Sequence, residues 1–409
     1  MSFISNLKIM SPQQKELVKA TVPVLKEHGV LLTTHFYNRM FTHNPELKHI
    51  FNMGNQQNKR QQTALATAVL AYAEHIEDPS VLLPVVDTIG HKHASLHIRP
   101  EHYAIVGRHL IASIAEVLGE AATPDLLGAW TVAYNQLAAL MSGHEQKLYD
   151  EKVSLPGGWS GWRPFVVRKK VKESEEITSF YLYPADGGAV ADFKPGQYIS
   201  IRLFLPEINL QQPRQYSLSS APNGEYYRIS VKRETGSLHP DGMISNHLHD
   251  FVQPGDVVDL SSPSGNFTLQ AQEGKPQVFI SGGVGQTPLM SMLETLVRTD
   301  ATAPITWVHG CKNAQVHAFK ADLHAISEEI ANVEKHFFYD SAEKLSENEY
   351  QGWVALDKLP ADALHPEAEY YICGPGPFIR QHYRYLVEKG IGKSNIHFEE
   401  FGPLSLSVN

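Results

Sequence analysis

The sequence predicts a multidomain protein with three parts in chain order: an all-α domain, an antiparallel β-barrel, and an α/β domain built on a parallel sheet. The 409 residues exceed what one ordinary hydrophobic core holds. Apolar residues repeat at helical spacing over residues 1–150, and short segments with the strand period of two follow residue 155. From residue 277 onward, apolar strands alternate with helical stretches, which is typical of a parallel sheet wound with helices.

Composition places the chain among globular proteins and excludes several classes of partner. Hydrophobic residues make up 42% of the chain and charged residues 19%, so a packed core is expected. The formal net charge of -9 includes no basic stripe, so neither nucleic acid nor an anionic membrane surface is an expected partner. Residues 64–73, the longest near-apolar run, reach only about half of a membrane span, and residues 1–10 lack a secretory signal. Two isolated cysteines, Cys311 and Cys373, predict neither a disulfide framework nor a zinc site, and the cytoplasm fits best.

Residues 1–150 carry start signals for helices and almost no strand signals. Residues 11–14, Ser-Pro-Gln-Gln, supply an N-cap, a proline in the first turn and the glutamine of a capping box. Arg99-Pro100 and Thr123-Pro124 indicate two further helix starts. After the first start, four residues follow at helical spacing and predict one continuous stripe: Leu17, Thr21, Val24 and His28.

His93 is the candidate metal ligand of this helical part. One histidine among 21 is a weak signal, but His93 follows Ile89 by one turn of a helix that begins near Pro84, so its ring points to the core. His97 shares that face one turn later and stays as the alternative. Tyr37 and Gln61 also take inward positions on predicted helices, where they could instead cap each other in an ordinary core.

The middle part contains short strands, a turn-rich texture and an R-x-Y-S motif. Residues 197–203 and 227–231 alternate polar and apolar residues, which favours an antiparallel barrel running to about residue 269. The motif itself, residues 214–217, follows the strand that carries Tyr198. An arginine can hold a flavin pyrophosphate in bidentate fashion, while tyrosine and serine can contact the isoalloxazine ring.

Two glycine-containing loops follow apolar strands in the last part. Residues 282–288, Gly-Gly-Val-Gly-Gln-Thr-Pro, lie between a buried strand and a helix, which is the context that a dinucleotide-phosphate loop needs. Residues 373–377, Cys-Gly-Pro-Gly-Pro, follow another strand. The pairing of the two loops is far more specific than either glycine run alone.

These motifs, taken with the helical part, make the whole chain resemble the bacterial flavohaemoglobins. The resemblance implies a globin haem domain at 1–150, an FAD-binding β-barrel at 155–269 and an NAD(P)H-binding α/β domain at 270–409. It implies haem b with its iron, FAD, and NADH or NADPH as cofactors; the family precedent favours NADH. The implied activity is that of a cytoplasmic, monomeric nitric oxide dioxygenase. Such an enzyme oxidises nitric oxide to nitrate with haem-bound oxygen and takes its electrons from NAD(P)H through FAD.

The resemblance also assigns residues on both sides of the haem. His93 becomes the proximal iron ligand, in a relay with Tyr103 and Glu145. Tyr37 and Gln61 would face the bound oxygen, and Phe51 and Leu65 match apolar positions of the haem pocket. Oxygen on ferrous haem gains superoxide character, so a hydroxyl and an amide N–H directed at it stabilise the developing charge. Without the resemblance, Tyr103 is simply the first core residue of its helix and Glu145 a solvated charge.

The flavin and nicotinamide contacts implied by the family form a longer set. In the barrel they are Tyr198, Arg214, Gln215, Tyr216, Ser217, Gly242 and Ser245. In the α/β part they are Gly283, Val284, Gly285, Gln286, Thr287, Pro288, Cys373, Gly374, Phe401, Gly402 and Pro403. Phe401 would cover the flavin ring until nicotinamide displaces it, and Lys92 and Glu399 would influence transfer between flavin and haem. Two features depart from the family pattern: a longer segment at 235–241, and Glu400 where the family more often has cysteine.

Two other classes of function stay open from the residues alone. An oxygen-storage or sensing globin needs neither the motif at 214–217 nor the Gly283 loop. A pure reductase that serves a separate acceptor needs no distal Tyr37 and Gln61. The order of modules favours their combination, because nicotinamide delivers two electrons at once whereas haem accepts one, so a flavin must lie between them.

Overall fold

The computed structural model describes residues 9–236, 241–270, 274–299, 302–342 and 344–402. Most of the longer segment at 235–241 and the predicted contact at Pro403 therefore lie outside the described residues. Within the described ranges, no helix combines the length and the apolar character that a bilayer span requires.

The N-terminal part is all-helical, as predicted. Its helices are α1 (Pro12–Ala20), α2 (Val22–His43), α3 (Met53–Gln57), α4 (Arg60–Glu74), α5 (Leu83–Ser95), α6 (Pro100–Leu118) and α7 (Pro124–Ser154). The predicted starts are confirmed: Ser11 and Gln14 form a capping box, and the Thr123 hydroxyl accepts from the Leu126 amide. The prediction of one continuous helical stripe across Thr21 was wrong. Helix α1 ends at Ala20 and α2 restarts at Val22, so Leu25 is buried while Val24 is 38% exposed.

The helices pack around one apolar core that leaves a polar seam beside α5. Helix α2 packs against α4 and α6, and α7 packs against α1, α5 and α6. Phe36, Met40 and Trp130 are almost fully buried in this core. Because α5 lies on α7, side chains from α5, α6 and α7 can meet, and those three helices supply the proximal residues described below.

The middle part is an antiparallel barrel, which confirms that prediction. Its strands are β1 (Arg163–Lys172), β2 (Ile177–Pro184), β3 (Tyr198–Leu205), β4 (Leu210–Ser217), β5 (Tyr227–Lys232) and β6 (Val257–Leu260). The sheet order is β4-β3-β6-β1-β2-β5. A bridge between Leu218 and Ile229 joins the end of β4 to β5, so the two outer strands of that order meet and the sheet closes. Helix α8 (Met243–Asp250) follows β5.

The last part is a parallel sheet with helices between its strands, also as predicted. Its elements are β7 (Gln277–Gly282), α9 (Gln286–Arg298), β8 (Ile305–Cys311), α10 (Lys320–Glu329), β9 (Val333–Tyr339), β10 (Glu349–Gln351), β11 (Glu369–Gly374), α11 (Gly376–Glu388) and β12 (Ile396–Glu400). The order is β10-β9-β8-β7-β11-β12, and the pairs are parallel. The strand order changes direction between β7 and β11. In open α/β sheets, ligands bind beyond the carboxyl ends of the strands at this point.

Candidate functional site

Three helices bring His93, Tyr103 and Glu145 together. His93 Nδ1 lies 2.7 Å from Glu145 Oε1 and 3.0 Å from the Tyr103 hydroxyl. The Tyr103 hydroxyl donates to the same carboxylate oxygen at 2.5 Å. Because Nδ1 is bonded to Glu145 and Tyr103, Nε2 is the ring nitrogen that stays available, and the described residues offer it no hydrogen-bond partner. Histidine ligands of metals are commonly oriented by a carboxylate at their second ring nitrogen in this way.

Burial fixes the donor role of Tyr103 in this group. Glu145 is only 1% exposed, in the middle of a long helix where its charge could have been solvated. Burial raises the pKa of Tyr103 well above its ordinary value, and the neighbouring Glu145 carboxylate raises it further. Tyr103 therefore stays protonated and donates to Glu145 at any ordinary pH.

His97, the alternative ligand, leaves the face of the helix. Helix α5 ends at Ser95, and His97 adopts a left-handed backbone conformation with φ of 58°. Its ring packs on Tyr149 with centroids 5.8 Å apart. His97 therefore does not point in the same direction as His93.

Tyr37 lies in the apolar core of the helical part, next to Gln61. Tyr37 is 5% exposed, its ring centroid lies 5.9 Å from that of Phe51, and Leu65 packs against the same core. Burial raises the pKa of the Tyr37 hydroxyl, and a hydrogen bond with Gln61 partly opposes the rise. Gln61 Oε1 is buried without a hydrogen-bond partner among the described residues. The Tyr37 hydroxyl and the Gln61 amide N–H are the hydrogen-bond donors here, so these residues fit a haem with a distal ligand that accepts a hydrogen bond.

Neighbouring strands assemble the predicted flavin residues. Tyr198 at the start of β3 pairs in register with Ser217 at the end of β4. The Arg214 guanidinium is partly buried and donates to the Pro213 carbonyl at 2.6 Å, while no carboxylate of the described residues pairs with it. Burial lowers the pKa of Arg214 to about 10. A partly buried guanidinium without an anionic partner fits a pyrophosphate ligand.

Gly242 and Ser245 form the turn that begins α8. Gly242 is the N-cap, and its own amide donates to the Glu234 carbonyl at 2.9 Å. The Ser245 hydroxyl donates to the Gly242 carbonyl at 3.1 Å. Both predicted residues therefore stabilise the turn itself, and a side chain at Gly242 would collide with Ser245 and Glu234.

The two glycine loops meet at the point where the sheet order changes. Gly283 has a φ of 57°, which favours glycine, and a Cβ at Gly285 would collide with the Cys373 carbonyl oxygen. The Thr287 hydroxyl donates to the Val284 carbonyl at 3.1 Å and closes the turn before Pro288. Gln286 is 1% exposed, and both its amide atoms lack hydrogen-bond partners among the described residues. A bound dinucleotide or flavin would satisfy that amide.

Cys373 and Gly374 complete this crevice from β11. Cys373 is fully buried, and burial raises the pKa of its thiol well above the ordinary value. The neutral thiol is therefore a poor nucleophile, and its position rather than its reactivity matters. A Cβ at Gly374 would lie 2.9 Å from the Phe378 ring, so only glycine fits here without a shift.

The C-terminal segment reaches the helical part next to His93. Lys92 Nζ donates to the Gly402 carbonyl at 3.0 Å. Burial lowers the pKa of Lys92 to about 8 and raises that of Glu399 to about 8, each change partly opposed by the other residue's charge. Glu399 Oε2 has no hydrogen-bond partner among the described residues. Phe401, between these contacts, is 42% exposed.

Glu400, which departs from the family pattern, lies against the start of α11. A Cβ at Gly376 would come within 2.5 Å of Glu400 Oε1. A carboxylate beside the first turn of a helix of 13 residues interacts favourably with the helix dipole. Glu400 thus faces α11.

Sequence reasoning missed the residues that dock the helical part on the barrel. Gln212 is fully buried; its amide donates to the Lys48 carbonyl at 2.9 Å and accepts from the Met53 amide at 3.1 Å. Lys152 donates to the Ser264 hydroxyl, and the hydroxyls of Ser95 and Ser200 are bonded to each other. Serine and glutamine on a strand or helix give no signal of such contacts in a single sequence.

Comparison with known proteins covers all three parts. Three family models match: Globin at residues 34–141, Oxidoreductase FAD-binding domain at 164–269 and Oxidoreductase NAD-binding domain at 279–383. The chain is 54% identical to a flavohemoprotein of Bordetella parapertussis over 96% of this chain and 99% of that protein. It is 51% identical to a flavohemoprotein of Chromobacterium violaceum over 96% and 98% of the two chains.

Two solved structures resemble this chain, one over nearly its whole length and one over its FAD- and NAD-binding parts. A flavohemoglobin from Malassezia yamatoensis with bound FAD and heme superposes with a TM-score of 0.85 at 27% identity, covering 96% of this chain and 99% of that chain. The FAD/NAD-binding domain of a nitric oxide dioxygenase from Vibrio cholerae matches 59% of this chain and 99% of that chain, with a TM-score of 0.55 at 38% identity.

Proposed function

The chain belongs to the flavohemoprotein family, and from that premise we propose that it is a nitric oxide dioxygenase. As an oxidoreductase with haem, FAD and NAD(P)H as cofactors, it passes electrons from NAD(P)H through FAD to haem. The proposed reaction consumes two nitric oxide and two dioxygen molecules per NAD(P)H and yields two nitrate ions, NAD(P)+ and one proton. Its support beyond the family is the chemistry of the distal residues and the nitric oxide dioxygenase of Vibrio cholerae, whose FAD/NAD domain resembles this one.

The proximal residues would hold the haem and tune it. When bound, haem supplies an iron that binds and reduces oxygen, and FAD divides the hydride's two electrons into single steps. We assign His93 as the ligand through Nε2, because Nδ1 is committed to Glu145 and Tyr103. A carboxylate that accepts from the ligand's second nitrogen makes the imidazole a stronger donor, which stabilises the oxidised metal.

One observation supports the proposed oxygen chemistry: the buried Tyr37 hydroxyl lies beside the Gln61 amide in apolar surroundings, so a hydroxyl and an amide N–H are available there as hydrogen-bond donors. Tyr37 stays protonated because burial raises its pKa. The hydroxyl of Tyr37 and the amide of Gln61 can therefore donate to an oxygen ligand that gains negative charge, and Phe51 and Leu65 exclude water from it. A pure reductase would have no use for two hydrogen-bond donors at this position.

The remaining predicted residues take their roles in the reductase. We assign Arg214 to the FAD pyrophosphate, and Tyr198, Gln215, Tyr216 and Ser217 to the flavin ring's surroundings. Gly242 and Ser245 shape the second phosphate turn, while the residues of 283–288 with Cys373 and Gly374 form the nicotinamide crevice. Phe401 and Gly402 would cover the flavin, and Lys92 with Glu399 would tune transfer to haem. The domain limits 1–150, 155–269 and 270–409 belong to the same proposal.

Location and assembly complete the proposal. We assign the chain to the cytoplasm as a monomer, where NAD(P)H is available and where Cys311 and Cys373, both free thiols, would stay reduced. Sedimentation of the purified holoprotein would test the monomer; a stable dimer would remove that part of the proposal.

Stoichiometry tests the reaction directly. The haem- and FAD-loaded protein is supplied with NADH, oxygen and nitric oxide, and nitrate and NAD+ are quantified together. We expect two nitrate ions per NADH. NADH oxidation with an artificial acceptor but no nitrate would make the protein a reductase, and haem reduction without turnover would make it a sensor or a store.

A further inference from the structure

Two buried serines connect the haem-bearing helix to the flavin barrel. The Ser200 hydroxyl in β3 donates to the Ser95 hydroxyl at the end of α5, with 2.9 Å between the oxygens. Both side chains are completely buried. A hydroxyl pair shut away from water must satisfy its hydrogen bonds within the protein, so its geometry is strongly constrained.

The serine pair lies inside a longer chain of hydrogen bonds. On the helical side, the Ser95 hydroxyl donates to the Lys92 carbonyl at 2.8 Å, and Lys92 immediately precedes His93. On the barrel side, the Gln215 amide donates to the Ser200 hydroxyl at 3.1 Å. Gln215 belongs to the motif at 214–217. A continuous polar path thus runs from the flavin motif to the residue beside the haem ligand.

Further contacts constrain the positions of Ser95 and Ser200. The Tyr198 hydroxyl lies near enough to the Ser95 side chain for Ser95 to lower the pKa of Tyr198, and the Ser200 amide donates to the Ser261 hydroxyl at 2.8 Å. Ser95 therefore touches two residues of β3 while it is bonded to its own helix. Sliding α5 along β3 would break several of these bonds together.

We propose that Ser95 is a positioning residue for electron transfer: its hydroxyl fixes α5, which carries the proposed haem ligand His93, against strands β3 and β4, which carry the proposed flavin residues. This role rests on the electron path of the family and is independent of nitric oxide as substrate. Ser95 touches neither reacting group, so it acts through Lys92 and Ser200. Small changes in the position of reacting centres lower the rate of electron transfer by large factors. A buried contact that fixes the position of α5 on β3 should therefore matter for that rate.

Ser113 offers a matched control in the same domain. It is also completely buried, on α6, and its hydroxyl has no hydrogen-bond partner among the described residues. Ser113→Ala removes the same atom without touching the contact with the barrel. Any effect of losing a buried hydroxyl as such would appear in both variants.

The test follows the two electron-transfer steps separately in the holoenzyme, mixed anaerobically with NADH in a stopped-flow spectrometer. In Ser95→Ala we expect flavin reduction at the normal rate and flavin-to-haem transfer slowed between about fivefold and about 100-fold. Ser200→Ala should slow the same step, and Ser95→Ala/Ser200→Ala should slow it by less than the product of the two single effects, because both single variants remove the bond between Ser95 and Ser200. Ser113→Ala should leave both steps unchanged.

Hydrogen exchange supplies a readout apart from turnover. Backbone amides at residues 92–96 should exchange faster in Ser95→Ala and Ser200→Ala, while carbon monoxide binding and the haem spectrum stay normal. Normal flavin-to-haem transfer in both variants would overturn the proposal. Equal slowing of flavin reduction, or equal slowing in Ser113→Ala, would also overturn it. Since the assay contains no nitric oxide, its outcome is independent of the dioxygenase proposal.

Discussion

The proximal and distal groups of the helical domain differ in how their buried polar atoms are satisfied. On the proximal side, His93, Tyr103 and Glu145 bond to one another at 2.5 to 3.0 Å. On the distal side, Gln61 Oε1 has no partner among the described residues. Leaving a buried acceptor unbonded costs about 1–3 kcal/mol. The proximal group is thus complete within the protein, whereas the distal group keeps an unbonded buried atom.

Under the proposed function, this difference separates two ways of acting on the haem iron. The proximal relay acts at all times, because its carboxylate polarises the imidazole whether or not a distal ligand is present. The distal donors act only when a ligand arrives and gains charge, which is the condition for selective stabilisation of a reacting state. Substitutions on the two sides should therefore affect different measurements.

Loss of the ligand itself should have the largest effect. His93→Ala removes the imidazole that is proposed to bind the haem iron. We therefore expect a yellow protein with almost no haem absorption that still oxidises NADH with artificial acceptors. The measurement is the Soret band relative to flavin absorption after expression with ample haem. His97→Ala is the control and should keep its haem. A normal haem spectrum in His93→Ala would remove His93 from the site.

Removal of the distal hydroxyl comes next in size. Tyr37→Phe deletes the stronger donor, and we expect faster oxygen dissociation and nitric oxide consumption lowered about 100-fold, as for the loss of an oxyanion donor. NADH-driven reduction of artificial acceptors should stay normal. Tyr72→Phe, whose hydroxyl donates to the Ala133 carbonyl at 3.1 Å in the core, is the control. Equal loss of both activities in Tyr37→Phe would contradict the distal role.

Neutralising the Glu145 carboxylate should change the haem midpoint potential and should affect the oxygen dissociation rate much less than Tyr37→Phe does. In Glu145→Gln the imidazole loses its anionic partner, so the ferrous state is favoured and the haem midpoint potential should rise by on the order of 60 mV, a tenfold change for one electron. Spectroelectrochemical titration measures it. Glu151→Gln, an exposed carboxylate on the same helix, should leave the potential unchanged. A fall in the Glu145→Gln potential would reverse the proposed polarisation.

The distal amide should contribute less than the hydroxyl. Gln61→Leu removes about one hydrogen bond to the ligand, so oxygen dissociation should accelerate about fivefold, corresponding to about 1 kcal/mol. Flash photolysis and oxygen replacement by carbon monoxide give the rate. The same substitution should leave the haem potential near that of the parent protein. A shift as large as that of Glu145→Gln would erase the distinction between the two sides.

The smallest effect should be that of pH on the distal donor. Burial raises the pKa of Tyr37 above its ordinary value of 10.0, so the hydroxyl keeps its proton between about pH 6 and about pH 9. Deprotonation would turn the donor into an acceptor and speed oxygen release only above that range. We therefore expect a flat oxygen dissociation rate from pH 6 to pH 9. A rise centred near pH 8 that vanishes in Tyr37→Phe would show that the hydroxyl titrates.

Fold and site could be predicted to different depths. Helix caps such as Ser11 and the glycine loop at 282–285 are local, because the atoms that stabilise them lie within a few residues, and both predictions were confirmed. The break at Thr21 was missed because the stripe continued in sequence while Pro23 restarted the helix. Glu145 had no local signal at all: its partners are 42 and 52 residues away.

The sequence by itself determined the three kinds of domain, the helix and strand periods, and the motifs whose chemistry is written in adjacent residues. Only the tertiary structure decided that His93 rather than His97 keeps an inward direction, that Glu145 is buried, and that Ser95 meets Ser200. Periodicity and capping depend on neighbours in the chain, so a sequence displays them. Burial, hydrogen-bond partners and the contact between domains depend on residues brought together by folding, and their energies exist only in that packed state.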